Sequence, residues 1–390
     1  MLALEAKNPL LSDIKSAIGN IIFTGNQANG IVISTNIISI TDKLRHEILK
    51  ILVSYSDKIP HPASGTEGNK ENKSRTNPRT LIRWQILAYV ASIDLTIAKW
   101  FESHLDALSI LHELSYEQAT QGLWAVWAAE GHPLSYQQGK ISGTKAWCSG
   151  ANIVDHGLMT YRDKDGQAQL LMVDMHQNGI KIDNSAWQAV GMQATDTATI
   201  HLDQVVASNV GAAKAYLERV GFWHGAAGVA ACWYGAATCL ASYLITAYQQ
   251  KPSDYKAMYL GQIGTALAVT EQYFHHIAEL IDNEPTQSHE LAIRQLRSNV
   301  EQIAREVIEV VGQALGAAPF CNNPHFARLS ADLTVFIRQS HGAFDLQKIG
   351  ELSSMLASES ASTLTNDDTS DFINRQRNIW QLYFLVSQHL

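Results

Sequence analysis

The chain has 390 residues, of which 46% are hydrophobic and 17% charged, and its formal net charge at pH 7 is -8. This composition excludes a disordered or fibrous protein and indicates a soluble globular chain of two or three domains. The acidic balance argues against nucleic acid as a partner, because a protein that follows phosphates needs a basic surface. The four cysteines form no CxxC pair and the N-terminus carries no signal-peptide pattern, so we expect reduced thiols and a cytoplasmic protein.

Residues 1–130 carry apolar positions at every third or fourth residue, which predicts an N-terminal helical domain. Within this domain, residues 60–80 are polar and lack that periodicity, so they predict a mobile loop. The basic residues of the loop predict a solvated surface rather than a phosphate site; they are Lys70, Lys73, Arg75 and Arg79.

Residues 131–211 change to short β-like runs between turn residues, which predicts a middle domain built as a small barrel or sandwich. Residues 212–352 return to long helical segments with prolines at the breaks, a pattern typical of a C-terminal bundle of four helices. Residues 353–390 predict an extension that contains one more amphipathic helix. The predicted fold class is therefore α+β.

The segment Gly221–Gln250 contains no Asp, Glu, Lys or Arg, and its length alone would suffice for a membrane span. It is rich in Gly and Ala rather than in Leu and Ile, and it carries His224 near its start. These features predict a helix that is buried within the bundle, so we expect no membrane span.

The common cofactor motifs are absent from the sequence. No GxGxxG follows a predicted strand, and neither GxxxxGK[ST] nor GxSxG occurs, which removes the dinucleotide fold, the P-loop and the hydrolase elbow. No HExxH and no Cys/His cluster with zinc spacing is present, so we predict no metal site.

Three blocks in the middle of the chain carry a resemblance: Lys140–Ala151, Trp187–Asp196 and Thr199–Val206. In their order and spacing they resemble the middle β domain of the acyl-CoA dehydrogenase superfamily. The resemblance implies an N-terminal helical domain, a middle β-barrel domain and a C-terminal four-helix bundle around a flavin. It also implies FAD as the cofactor, with FMN as the alternative, and a homodimer or homotetramer.

The resemblance points to a set of flavin-binding residues. Trp147, Cys148 and Ser149 stand where the family has the triplet that lines the flavin ring, and an indole with a neighbouring hydroxyl suits that role. The stretch 122–130, with Trp124, stands in place of the family's flavin segment, although Ala129 replaces the family's threonine. The complete predicted set is Trp124, Trp147, Cys148, Ser149, Arg219 and Arg338.

Acyl-CoA dehydrogenases remove an α-proton with a glutamate while hydride passes from the β-carbon to flavin N5, so the base must lie close to the substrate. The stretch 336–342, which matches the usual place of that glutamate, contains no carboxylate. Tyr216–Arg219 resembles the family's other location, which makes Glu218 the candidate base and Arg219 the group that keeps it ionised. A surface ion pair is the alternative. This resemblance implies the α,β-dehydrogenation of an acyl thioester, with a separate electron acceptor.

A second resemblance is to the oxygen-using branch of the superfamily, which includes flavin-dependent dibenzothiophene monooxygenases. His104 and the stretch Arg338–His341 match the two histidine-bearing segments that face the flavin there, and an imidazole can donate a proton at the ring. This alternative implies a small hydrophobic substrate and a partner flavin reductase. A third hypothesis is a non-catalytic binding or assembly protein, because the family's glutamate, its diphosphate-binding arginine and its threonine are all missing.

Overall fold

The computed structural model describes residues 8–28, 40–63, 79–116, 121–131 and 133–363, and the side chains of 23–28 and 357–363 are not described. Most of the predicted mobile loop 60–80 and of the extension 353–390 therefore lies outside the described residues. So do Lys70, Lys73 and Arg75.

Four helices precede the sheet: α1 (Pro9–Ala28), α2 (Asp42–Ser54), α3 (Arg79–Ile93) and α4 (Leu95–Glu113). Helices α3 and α4 are separated by Asp94, whose carboxylate accepts a hydrogen bond from the backbone N–H of Ile97 at 3.0 Å and so caps α4. The same carboxylate accepts a hydrogen bond from Arg45 Nε of α2 at 2.8 Å. One buried aspartate thus begins α4 and ties it to α2.

Seven strands follow: β1 (Trp124–Trp127), β2 (Leu134–Gln137), β3 (Lys140–Cys148), β4 (His156–Arg162), β5 (Ala168–Asp174), β6 (Ile180–Asp183) and β7 (Ala198–Asn209). Their order in the sheet is β1-β4-β5-β7-β3-β2, and β6 also pairs with β7. Among the described strands, β1 and β4 are the only parallel pair. The sheet begins at Trp124, ahead of the predicted boundary at 131, so β1 belongs with the strands and not with the helices before it.

Among the described residues the sheet is open and a closed barrel is not formed, because β1 and β2 stand at opposite ends without pairing. β7 is shared by two halves of the sheet: residues 198–206 pair with β3 and β6, and residues 207–209 pair with β5. The pairing of β3 with β7 shifts register beside Gln204, which has a backbone φ of 54°. The two halves fold over one apolar core that includes Ile141, Leu171 and Val205.

The C-terminal region is helical, as predicted. It contains α5 (Ala215–Glu218), α6 (Gly221–Gln250), α7 (Asp254–Asn283), α8 (Glu290–Leu315), α9 (Ala318–Asn322), α10 (Pro324–Phe336) and α11 (Ala343–Thr363). The last predicted segment of the bundle is divided, because α10 ends in a short 3-10 turn over Ile337–Gln339 and the chain restarts as α11 beyond Gly342.

Helices α1–α4 bury their apolar side chains in one common core with α6, α7, α8 and α10. Helix α6 is its central element, and it alone among the described helices is long and apolar enough to cross a membrane. In the structure 67% of that apolar window is buried. Burial inside the protein therefore accounts for the missing charges, as the sequence predicted.

Helices α6 and α3 approach each other closely at Gly235. A Cβ added to Gly235 would overlap the backbone carbonyl of Ala88 and would lie 2.5 Å from its Cα. The two helix backbones approach to a distance that only glycine allows.

Candidate functional site

A cavity of about 810 Å³ lies where α4, β1, the end of β3, the segment 187–197 and the end of α10 meet. We call it the main cavity. It is lined by Lys99, Ser103, Val126, Trp127, Ala128, Ala129, Trp147, Ser149, Trp187, Ala189, Met192, Thr195, Thr197, Val335, Phe336, Arg338, Gln339 and His341. Its size is within the range of roughly 300–1,000 Å³ that is typical of small-molecule sites.

Three tryptophans give the main cavity flat apolar surfaces. Trp147 ends β3 with a backbone φ of 62° and its side chain is 65% exposed, while Trp187 stands edge-on to it with ring centroids 6.4 Å apart. Trp127 is buried and donates a hydrogen bond from its indole N–H to the carbonyl of Ser149 at 3.1 Å. The left-handed backbone at Trp147 is strained for a bulky residue, and such strain is often found at functional sites.

A row of hydroxyls lines the same cavity. Thr197 Oγ1 lies 2.8 Å from Ser149 Oγ and 2.9 Å from Thr195 Oγ1, and the Thr195 hydroxyl donates to the carbonyl of Met192 at 2.7 Å. These bonds hold the end of β3 against the start of β7 and the preceding turn. The hydroxyls are oriented by each other, and each retains acceptor capacity for a ligand.

The charged side chains of the cavity wall are all basic or potentially basic. They are Lys99, Arg338 and His341, and no Asp or Glu is among the described residues that line the cavity. Lys99 Nζ lies 3.7 Å from Glu102 Oε2, behind the wall, and 6.0 Å from the centroid of Phe336. The cavity therefore suits an electron-rich or anionic ligand better than a cationic one.

Four of the predicted site residues come together at the main cavity: Trp147, Ser149, Arg338 and His341. Five others do not line it, and their predicted roles lack support from the geometry. Those five are Trp124, Cys148, His104, Glu218 and Arg219.

His104 of α4 is fully engaged in protein contacts. Its Nδ1 accepts a hydrogen bond from the backbone N–H of Trp124 at 3.1 Å, and its Nε2 lies 3.0 Å from Ser56 Oγ. Because Nδ1 is the acceptor, the ring proton sits on Nε2 and donates to the serine. Burial, with a smaller contribution from Arg83, lowers the pKa of His104 to about 4, so the ring is neutral. Through these contacts His104 joins α4 to β1.

Trp124 and Cys148 do not line the main cavity, and both side chains are buried in other contacts. Trp124 is buried against His156, with ring centroids 4.4 Å apart. Cys148 is buried in the sheet core and donates from Sγ to the carbonyl of Lys145 at 3.4 Å, and burial raises the pKa of its thiol to about 12. Trp127, three residues beyond Trp124, lines the cavity wall in place of Trp124.

Glu218 is exposed on α5 and lines a separate surface groove with Arg162 and Lys214. Arg219 faces the other way and is paired with two carboxylates, lying 3.0 Å from Glu113 Oε2 and 3.6 Å from Asp106 Oδ1. The predicted pairing of Glu218 with Arg219 is therefore not formed. A base at Glu218 remains a prediction from resemblance, without a place at the main cavity.

Several cavity residues were not singled out from the sequence. Lys99 and Ser103 lie one helical turn apart on α4, so their spacing held a signal that they share a face. Trp187 belongs to the block 187–196, which carried the resemblance. It lies between turns, where no hydrophobic periodicity indicates which way a side chain points. Thr197 is brought to Ser149 only by the pairing of β7 with β3.

The segment 187–197 is held against α10 by one aspartate. Asp332, almost fully buried, accepts a hydrogen bond from the backbone N–H of Met192 at 2.5 Å, and Met192 has a backbone φ of 60°. Burial raises the pKa of Asp332 to about 6, with Asp94 adding to the increase, while the Met192 hydrogen bond, Arg328 and Arg45 oppose it. The rim of the main cavity thus rests on a carboxyl that titrates near pH 6.

This pKa predicts how Asp332→Asn changes stability with pH. The carboxyl binds its proton more tightly in the folded protein than in the unfolded chain, where its pKa is 3.8. Its contribution to stability is therefore present below about pH 4 and is lost as pH rises through 6. Relative to wild type, the variant should gain up to about 3 kcal/mol between pH 4 and pH 7, measured by urea unfolding. For the control Asp13→Asn, at an exposed position, the difference in unfolding free energy from wild type should not change with pH. If the difference for Asp332→Asn does not change with pH either, the assignment is refuted.

The donor set of the main cavity fits a flavin. The isoalloxazine ring is flat, with apolar faces and a rim of carbonyls and nitrogens, and the tail carries phosphate. Trp147 and Trp187 offer aromatic surface for such a ring, Ser149 and Thr197 offer hydroxyls to its rim, and Arg338 offers a guanidinium suited to phosphate. Within the described residues, no group of three or more His, Cys, Asp or Glu side chains is arranged to hold a metal ion.

The chain has the fold of the acyl-CoA dehydrogenases. The similar solved structures include TdsC from Paenibacillus sp. A11-2 in complex with FMN and indole, with a TM-score of 0.67 and 16% identity over 88% of this chain and 96% of that one. KijD3 in complex with dTDP has a TM-score of 0.68 and 15% identity over 91% of this chain and 99% of that one. Butyryl-CoA dehydrogenase from Megasphaera elsdenii has a TM-score of 0.68 and 13% identity over 88% of this chain and 97% of that one. No family model matches the sequence, and no curated protein is similar to it in sequence.

Proposed function

We propose that the protein is a flavin-dependent oxidoreductase that binds the flavin ring in the main cavity. The observation that carries the proposal is the exposed indole of Trp147, beside a row of hydroxyls and two basic side chains, in a cavity of about 810 Å³. TdsC and a glutaryl-CoA dehydrogenase, which share this fold, are described in complex with FMN and FADH2 respectively. FAD and FMN are both candidates for this chain, because Trp147 and Ser149 would contact only the ring that they have in common.

Of the reactions that such an enzyme performs, we favour the transfer of oxygen to a small hydrophobic substrate. Acyl-thioester dehydrogenation needs a carboxylate within hydrogen-bond reach of the substrate α-carbon. The described lining of the main cavity contains none, and Glu218 lies in a different groove. His341, in contrast, supplies an imidazole at the wall.

A bound flavin supplies two-electron redox chemistry and, when reduced, reactivity towards oxygen. The protein's own residues bind and orient the ligands, and they exclude water from the cavity. Trp147 and Trp187 would offer the ring two adjoining aromatic surfaces at a right angle, and buried Phe336 contributes apolar wall. His341 can hold or release a proton at its ring nitrogens, and Lys99 stabilises negative charge that develops nearby.

This reaction class requires a source of reduced flavin, so the proposed partner is a flavin reductase. Dehydrogenation of an acyl thioester, with a separate electron acceptor, is the second candidate function. It is favoured by the likeness to butyryl-CoA dehydrogenase and by the carboxyl of Glu102, which lies directly behind Lys99. The third candidate function is that of a non-catalytic binding protein.

The test is a titration of the purified protein with FAD and with FMN, followed by visible absorbance and flavin fluorescence. We expect one of them to bind with micromolar affinity or better. The loaded protein is then exposed anaerobically to butyryl-CoA, and separately to reductant, oxygen and indole as an aromatic probe. Oxygen uptake that depends on indole supports the favoured reaction. Anaerobic bleaching by butyryl-CoA would instead assign the dehydrogenase, and failure to bind either flavin would leave the binding protein.

A further inference from the structure

Helix α4 carries a line of ionisable side chains on its buried face. Lys99, Glu102 and Asp106 are separated by three and four residues, so they lie on one side of the helix about one turn apart. Their side chains are 16%, 7% and 17% exposed respectively. Buried charges at this spacing are costly unless they pair with each other or serve a function.

The two ends of this line open onto different cavities. Lys99 lines the main cavity, and its ammonium lies 3.7 Å from the carboxylate of Glu102. Asp106 lines a second cavity of about 200 Å³, between α4 and the start of α6, together with Ser109, Glu113 and Arg219. Glu113 at that cavity remains 30% exposed, so water reaches this end.

Glu102 stands between the two ends without lining either cavity. Burial raises the pKa of Glu102, and nearby Asp106 raises it further, while the cations opposite lower it. A carboxyl in such opposed surroundings exchanges its proton more readily than one held firmly ionised. The charged or titratable groups that face Glu102 are Lys99 and Asp106 on α4, Arg83 on α3, Tyr216 on α5, Cys232 on α6 and Arg297 on α8.

We propose that Lys99, Glu102 and Asp106 form a proton path that joins the main cavity to the second cavity. In its forward direction, the Lys99 ammonium gives a proton to a basic atom in the main cavity. The Glu102 carboxyl then loses its O–H proton to the Lys99 amine, and the Glu102 carboxylate takes a new proton from water beside Asp106. One proton enters at Asp106 for each proton delivered at Lys99, and no electron moves. Glu102 acts through Lys99 and is a positioning residue in this sense.

The first test needs no flavin, and therefore stands apart from the proposed function. Infrared spectra of the full chain are recorded across pH, and the carbonyl band of a protonated buried carboxyl is followed. We expect the component of this band that belongs to Glu102 to disappear in Glu102→Gln, while the component of buried Asp332 remains. In Lys99→Met its titration should move to higher pH, because an attracting cation is lost, and in Asp106→Asn to lower pH, because a repelling anion is lost. The absence of any Glu102 band, or a titration unmoved by both neighbours, would overturn the proposal.

The second test rests on the proposed function. Flavin-loaded protein is reduced by a light pulse, and proton uptake is followed with a pH-indicator dye. Glu102→Gln and Asp106→Asn should slow proton uptake at least tenfold and shift the pH profile, with flavin affinity within twofold of wild type. The exposed change Glu279→Gln is the matched control and should leave the rate unchanged. Wild-type proton uptake in both path variants would overturn the proposal. If no flavin binds, the proposed function fails and the infrared test alone decides.

Discussion

Gly235→Ala is expected to lower the free energy of unfolding by about 3 kcal/mol, although alanine is the better helix former. The added methyl group would overlap the carbonyl and Cα of Ala88 on α3. These are backbone atoms, so no change of rotamer relieves the overlap and the two helices must separate. Leu240 and Trp233, buried on either side of Gly235 in α6, would lose packing as the helices separate.

The matched control for this prediction is Gly261→Ala in α7. Gly261 is exposed and an added Cβ would meet nothing within 4 Å, so only helix propensity acts there. We expect that variant to be more stable by up to about 1 kcal/mol. Denaturant unfolding of both variants measures the two effects. Equal effects at the two sites would show that the approach of α6 to α3 is looser than the structure indicates.

Trp147→Ala is expected to weaken flavin binding at least tenfold and to leave the fold intact. The indole is 65% exposed at the main cavity, so its removal leaves no cavity in the core. A flavin that covered about 100 Å² of this ring would gain about 2.5 kcal/mol from its burial. That corresponds to a loss of more than tenfold in affinity when the ring is removed. Fluorescence titration with the flavin that the wild type prefers gives the dissociation constants.

Tyr255→Ala supplies the control for the tryptophan. Tyr255 is a similarly exposed aromatic residue, at 55%, but it lies on α7 outside the lining of the main cavity. Flavin affinity should not change in this variant. Trp147→Phe should fall between wild type and Trp147→Ala, because a smaller flat ring remains. If Trp147→Ala binds flavin as wild type does, the flavin does not lie against this indole.

The fold was predictable from the sequence wherever a pattern extended over many residues. Gly221–Gln250 had the composition of a buried helix and forms one, and the three middle blocks belong to strands and turns of one sheet. Closure of the sheet was not predictable in this way, because it depends on which strands stand at its edges. Local alternation along a strand carries no information about its neighbours.

The site was predictable only in part, for a physical reason that Glu218 illustrates. A short match such as Tyr216–Arg219 identifies residue types, but it does not say where a helix begins. Here Lys214, at a backbone φ of 64°, starts a separate short helix, and α6 begins only at Gly221. The side chain of Glu218 consequently faces solvent. Trp147, Ser149, Arg338 and His341 were also identified by resemblance, and the structure brings these four together at the main cavity.

The contacts between α4 and β1 have a consequence for the behaviour of the protein in concentrated solution. β1 is the last strand at its end of the sheet, and a bare strand edge can pair with the edge of another molecule. The backbone N–H groups of Trp124 and Val126 point outward from that edge, and they donate to His104 Nδ1 and Ser103 Oγ. Two side chains of one helix thus occupy the donors that intermolecular β-pairing would use. Loss of either side chain would leave one of these backbone donors without its partner, and α4 would then shield the edge by packing alone.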